Sequence, residues 1–160
     1  MHSDSIPEKQ GLYPVSPSGN EIEQIGQGIF ESPAWSPNGQ WIAFSRNAHI
    51  WKMKTNGDSL EQLTFEGRNF FPTWSPDGQW IAFDAYVENK TSLYAVWRME
   101  HDGNNKTLIA YSPEVGAVRM PHWRSNNILH IRYITGTYSS EIFSMNFNGE
   151  EVMRLTNNEA

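Results

Sequence analysis

Ser32-Pro33-Ala34-Trp35-Ser36-Pro37-Asn38-Gly39-Gln40-Trp41-Ile42-Ala43-Phe44 is followed, 39 residues on, by Phe71-Pro72-Thr73-Trp74-Ser75-Pro76-Asp77-Gly78-Gln79-Trp80-Ile81-Ala82-Phe83. A third, more divergent copy occupies Met120-Pro121-His122-Trp123-Arg124-Ser125-Asn126-Asn127-Ile128-Leu129-His130. Repetition at this spacing marks stacked supersecondary units, because each unit has an apolar face that only a neighbour can cover. Within a copy, a strand runs into the Trp, and Ser-Pro-Asn/Asp-Gly makes a turn in which Pro presets φ and Gly accepts a positive φ. The return strands are expected at Trp41 to Ser45, Trp80 to Ala85 and Ile128 to Ile134, rich in residues that fit a pleated surface.

Two more segments complete each unit. The third alternates with period two, as a half-buried strand does: residues 49–54, 93–99 and 141–146. Each then meets a hairpin turn at Asn56-Gly57, Asp102-Gly103 or Asn148-Gly149, and these glycines lie 46 residues apart at each step. The fourth is expected at residues 60–64, 106–110 and 152–156. Upstream, Leu12 to Ile25 aligns with Ile50 to Leu63, Glu-Gln matching near both ends, so the N-terminal part reads as the second half of a unit. Four-stranded units at this period are the blades of a β-propeller. A β-helix is the runner-up, but its coils are shorter and lack paired hairpin turns. The expected organisation is all-β: a tail over residues 1–11, then propeller blades over 12–160, namely a half blade at 12–27 and blades at 32–65, 70–111 and 119–156.

Composition agrees with one domain of short strands and tight turns. The chain has 160 residues, 13% aromatics and seven Trp, with frequent Asn, Gly and Pro. The formal net charge is −6 and the basic residues are scattered, so no footprint for a phosphate backbone is present and nucleic acid is not an expected partner. No cysteine occurs, which removes disulfides, thiolate metal sites and a Cys nucleophile while fitting either redox compartment. No run of 18 apolar residues occurs, and no membrane insertion is expected.

The phrase Pro-x-Trp-Ser-Pro-Asp/Asn-Gly-x-x-Ile-Ala-Phe, followed by an aromatic strand, Asn/Asp-Gly and a Leu-Thr ending, resembles the repeat of TolB-like β-propellers over residues 12–156. Arg124-Ser125-Asn126-Asn127 departs from the turn motif in the last unit. The family includes the periplasmic TolB protein. Similar repeats occur in propellers attached to prolyl oligopeptidase-like and tricorn-like peptidases and in oligogalacturonate lyase, so the fold does not by itself name a function. The resemblance implies a periplasmic or secreted location, a cytoplasmic one staying open. It also implies a ring of about six or seven blades. Three and a half blades do not close such a ring, which leaves three expectations: a piece of a longer propeller, two copies sharing one ring, or a compact ring of about four blades.

No nucleophile elbow, P-loop, dinucleotide fingerprint or His-Glu-x-x-His pattern is present, and neither a cofactor nor a metal is expected. Asn38-Gly39 and Asp77-Gly78 read as turns rather than calcium loops. The binding candidates are rim and channel residues: Glu31, Arg46, Arg68, Asp84, Glu88, Arg119 and Tyr138 on the rim, and His122 on the innermost strand, where its counterparts are Ala34 and Thr73. The longer stretches at residues 84–92 and 111–120 exceed what the repeat needs. Most of the Trp residues recur in register and are expected to pack between sheets. The function expected is a non-catalytic module that binds a protein or peptide, with self-association as one route to ring closure. The alternative is the propeller portion of an enzyme, either the gating domain of a peptidase or an oligogalacturonate lyase-like protein.

Overall fold

Pro in the middle of a strand removes a ladder hydrogen bond, so it is tolerated only on an edge or at a bulge. Pro33, Pro72 and Pro121 satisfy both conditions. The computed structural model of the chain describes residues 10–16, 18–19, 24–87, 94–111, 117–125, 128–134 and 140–157. In it, β3 (Glu31–Trp35), β7 (Asn69–Trp74) and β11 (Val118–Ser125) are each the first, edge strand of a four-stranded sheet. Their pairing to β4 (Trp41–Arg46), β8 (Trp80–Tyr86) and β12 (Ile128–Ile134) skips a register step at each Pro. The residue before each Pro, Ser32, Phe71 or Met120, turns left-handed with φ of 50, 54 and 54°. One bulge is thus built three times from three different side chains.

The Ser-Pro-Asn/Asp-Gly turns form as the sequence predicts. In the first, Trp41 N donates to Ser36 Oγ at 2.9 Å, Gln40 N to Asn38 Oδ1 at 3.0 Å, and Gly39 takes φ of 68°. In the second, Trp80 N donates to Ser75 Oγ at 2.9 Å and Gln79 N to Asp77 Oδ1 at 3.0 Å. The side-chain oxygens that resemble calcium ligands are spent on the turn itself.

The sheets are meanders. β3 and β4 continue into β5 (His49–Lys54) and β6 (Glu61–Gln62). β7 and β8 continue into β9 (Tyr94–Glu100) and β10 (Thr107–Ala110), and β11 and β12 into β13 (Ser140–Asn146) and β14 (Met153–Arg154), every neighbour antiparallel. The outer strands β6 and β14 are shorter than the sequence predicts, which blunts the exposed edge. N-terminal to them, β1 (Gly11–Leu12) pairs with β2 (Gly26–Gln27). Its alignment with the later blades holds at the level of single bonds: Ile25 N donates to Leu12 O, Leu63 N to Ile50 O and Leu155 N to Ile142 O. The architecture is a β-propeller with a half blade and three full blades, a partial ring.

Central strands bury both faces. In β4, Ile42 and Phe44 point toward the half blade and join Met53, Leu12, Ile25 and Phe30, whereas Ala43 points the other way with Ile50 and Leu63 against Trp74, Ile81 and Phe83 of the next blade. A third cluster, including Val96, Ile109, Trp123, Leu129 and Met145, fills the space between the second and third blades. Polar contacts repeat at the same joints. Lys52 Nζ of one blade donates to His101 O of the next at 3.0 Å, and Arg98 Nη1 donates to Phe147 O at 2.7 Å.

The hairpin glycines serve the joints as well as the turns. A Cβ on Gly57 would stand 2.6 Å from Ile25 O, one on Gly103 3.0 Å from Leu63 O, and one on Gly149 would overlap Ile109 O. Each of those carbonyls belongs to the preceding blade at the same repeat position. Gly39 has the same kind of φ but nothing within 4 Å of such a Cβ. Gly39→Ala should therefore cost only the left-handed backbone term, about 1–2 kcal/mol. Gly149→Ala should exceed it by roughly 1–3 kcal/mol of overpacking. Urea unfolding of the two variants side by side checks the difference, and equal costs would contradict the joint.

Candidate functional site

The three bulged edge strands lie side by side and form the wall of an open groove of about 580 Å³, lined by Pro33, Ala34, Thr73, Met120, Pro121 and His122 among others. His122 is exposed and sits opposite His130 in the ladder, while its counterparts Ala34 and Thr73 carry no titratable group. Among the described residues, no group of three His, Asp or Glu is gathered as a bound metal would require. What the groove offers is Pro and apolar surface with one imidazole. Of the three repeat-equivalent Trp residues, Trp74 and Trp123 are packed between blades, and Trp74 Nε1 donates to Ala34 O at 3.1 Å. Trp35 differs from the sequence expectation and is 52% exposed, because among the described residues the half blade has no inner strand to cover it.

Asp84, a rim binding candidate in the sequence, lies inside β8 and is fully buried. Its Oδ2 accepts Arg119 Nε–H at 3.0 Å and its Oδ1 accepts the Met120 N–H at 2.8 Å. The pair joins the second blade to the third at the bulge, where the left-handed turn of Met120 frees a backbone donor. Burial pushes the Asp84 carboxyl up to about 7, against the downward pull of the Arg119 hydrogen bond and charge and of the Met120 N–H. The Arg119 guanidinium also lies 4.1 Å from the Tyr94 ring centroid and 5.2 Å from that of Phe71.

Glu31 is exposed and shares a hollow of about 200 Å³ with Ser32, Phe70, Phe71, Tyr94 and Arg119. Glu31, Phe70 and Arg119 occupy one repeat position on three successive blades. Arg46 lies apart from this hollow, over Phe30 at 5.5 Å and Trp51 at 6.0 Å, and Arg68 is exposed over Phe70 at 5.9 Å. Glu88 and Tyr138 lie outside the described residues, as does most of the two long stretches; Asp84 to Tyr86 and Val118 to Met120 belong to strands.

Two functional-looking cations escaped the sequence reading. Lys52 is 5% exposed, 4.6 Å from the Trp41 ring and 3.1 Å from Glu61 Oε2. Arg98 lies between Trp80 and Phe147, at 4.9 and 3.4 Å from their centroids. Their signal was a basic residue at the same register of two third strands, one after Trp51 and one after Trp97. Both serve the joints between blades.

Asp84 gives the rim a pH signature. The folded state holds its proton more tightly than the unfolded chain does, so stability from this group is complete below the ordinary carboxylate range and is lost as pH rises from about 4 to about 7. Asp84→Asn should remove that slope. Thermal melts of both proteins from pH 4 to 8 should show their stability difference changing by an amount on the order of a few kcal/mol, with no further change above pH 8. A constant difference across that window would rule out the raised carboxyl.

Residues 4–72 match the family model of the dipeptidyl peptidase IV N-terminal region. No individual curated protein sequence matches the chain significantly. Among solved structures, a protein assigned as TolB from Agrobacterium tumefaciens superposes with a TM-score of 0.76 at 22% identity, over 91% of this chain and 56% of that one. TolB from Acinetobacter baumannii gives 0.75 at 19% identity, over 91% and 37%. An oligogalacturonate lyase in complex with manganese gives 0.70 at 14% identity, over 97% and 50%. The chain therefore spans about half or less of the length of these structures, and the likeness is one of fold: a β-propeller that superposes on TolB proteins and on an oligogalacturonate lyase.

Proposed function

We propose that this propeller is a non-catalytic module that binds a protein or peptide along its inner groove and rim, in the manner of a TolB-like domain, in the periplasm or outside the cell. The observation that carries this reading is the groove itself. Three edge strands, each interrupted by a bulge and a Pro, present apolar surface and unpaired edge beside one another. A segment laid across them would meet side chains on a rigid scaffold. The enzyme-associated reading, a propeller attached to a peptidase, draws its support from the match of residues 4–72 to the dipeptidyl peptidase IV region.

Phage-displayed peptides selected on the purified chain test the module. Selected peptides should lose at least about tenfold in affinity to Thr73→Arg or His122→Ala, each with unchanged melting temperature. They should also stay intact by mass spectrometry after prolonged incubation. Peptides indifferent to both variants would remove the groove, and cleavage would favour the enzyme.

Ring completion accompanies this function. Ile50 and Val96 are fully buried and Leu63 and Ile109 nearly so, whereas their counterparts on the third blade, Ile142 and Leu155, are 42% and 48% exposed. Val152 and Met153 beside them are 52% and 60% exposed. A further blade of the same repeat covers such a face, from a second copy or from additional chain. Light scattering after gel filtration should give a mass above that of one chain, and Leu155→Lys should return it to one. A monodisperse single chain at high concentration would exclude pairing between copies.

A further inference from the structure

We infer that the hollow between Glu31, Phe70, Phe71, Tyr94 and Arg119 is a carboxylate-binding subsite, fitted to an acidic side chain or a chain terminus of the peptide proposed above. The inference rests on that peptide-binding reading and adds the chemistry of one contact. A guanidinium offers five N–H donors along three edges. In Arg119 the Nε–H is spent on Asp84, and no bond of its two η nitrogens is found among the described residues. The end-on edge, with its parallel pair of N–H groups, is the one that matches a carboxylate in bidentate geometry. Arg119 remains 22% exposed and lines the hollow.

The surroundings fix the group before a ligand arrives. The buried Asp84 carboxyl holds Nε, and the Tyr94 and Phe71 rings flank the guanidinium at 4.1 and 5.2 Å. A long cationic side chain usually gives up rotamer freedom on binding, and here that cost has been met in folding. The hollow, at about 200 Å³, has the size of one side chain and a floor of aromatic rings for its methylenes. Glu31, on the first full blade, makes its mark by repulsion: it lines the same hollow, and no ion pair between it and Arg119 is found among the described residues. An uncomplexed site with an opposing carboxylate binds acids weakly and selects those that bring apolar contact as well.

Three short peptides test this: acetyl-Gly-Phe-Glu-Gly-amide, which carries only a side-chain carboxylate; acetyl-Gly-Phe-Gly with a free C-terminus; and acetyl-Gly-Phe-Gln-Gly-amide, which carries none. Each is titrated into the ¹⁵N-labelled chain while the Arg119 Nε–H and Tyr94 amide signals are followed. At least one acidic peptide should shift both signals, and which one does so identifies the source of the carboxylate. The neutral peptide should leave them in place. Glu31→Gln, at an exposed strand end, should tighten the acidic peptide about threefold by removing a like charge. Arg119→Gln should weaken it at least about tenfold; because that variant also strands Asp84, the Glu31 result stands as the independent reading. Equal shifts from the neutral peptide, weaker acid binding in Glu31→Gln, or no shift by either acidic peptide would each overturn the subsite. Shifts confined to Thr73 and His122 would overturn the subsite while leaving the peptide-binding module intact, and no selected peptide binding anywhere would remove the module itself.

Discussion

Every blade in this chain is apolar on both faces, and that constraint governs the rest. β4 sends Ile42 and Phe44 to one side and Ala43 to the other, with each side buried by a different neighbour. A sheet of this kind has no stable form alone, since either face exposed to water forfeits roughly 25 cal/mol per Å² of apolar surface. Stability therefore resides in joints rather than in blades. The joints are built alike each time: a packed apolar cluster, a glycine whose missing Cβ admits a carbonyl of the preceding blade, and, at two of them, a strand-three cation on a turn carbonyl of the next. The third blade breaks the series. Ser144 stands where Lys52 and Arg98 stand, and Ile142 and Leu155 are exposed where their counterparts are buried.

Much of this was legible in the sequence because turns and periodicity are local. Ser36-Pro37-Asn38-Gly39 specifies its own hydrogen bonds, so the hairpin follows from four residues. Gly57, Gly103 and Gly149 set the period, and the alignment of Leu12 to Ile25 with Ile50 to Leu63 proved true to the bond. What was not legible depends on neighbours distant in the chain. Asp84 reads as a rim acid at the end of its strand, since nothing near it in sequence reveals that Arg119 and the Met120 N–H, 35 and 36 residues on, will receive it. Lys52 and Arg98 read as the polar face of a strand, yet they reach 49 residues forward to the next blade. Trp35 reads as the equal of Trp74, and its exposure follows only from what stands beside it. Local rules wrote the blades, and the joints were visible only once the blades stood together.

The repeat also explains where variation is allowed. At the bulge, Ser32, Phe71 and Met120 share one backbone conformation, so the geometry of the inner rim is the same on every blade whatever side chain occupies it. The position just before it carries Glu31, Phe70 and Arg119, an acid, an aromatic and a base on one fixed frame. Because the backbone there is held by the Pro and the bulge, one frame accommodates three unlike side chains, and at Arg119 the side chain also carries a contact to Asp84 in the joint. Function in such a scaffold is written at positions where the fold asks only for a backbone.

The Asp84 and Arg119 pair is the place where the two requirements meet. As a joint it ties the third blade to the second through a buried carboxyl that accepts one side-chain and one backbone donor. As a surface feature its arginine lines a hollow shared by three blades. Removing either partner leaves the other without its counterpart, the carboxyl in a dry interior and the base without its anchor. The rim therefore cannot lose its charge without loosening the joint, and a contact needed for packing keeps the guanidinium in position. That coupling arises where a joint between blades reaches the rim, and in this chain the reach is one arginine long.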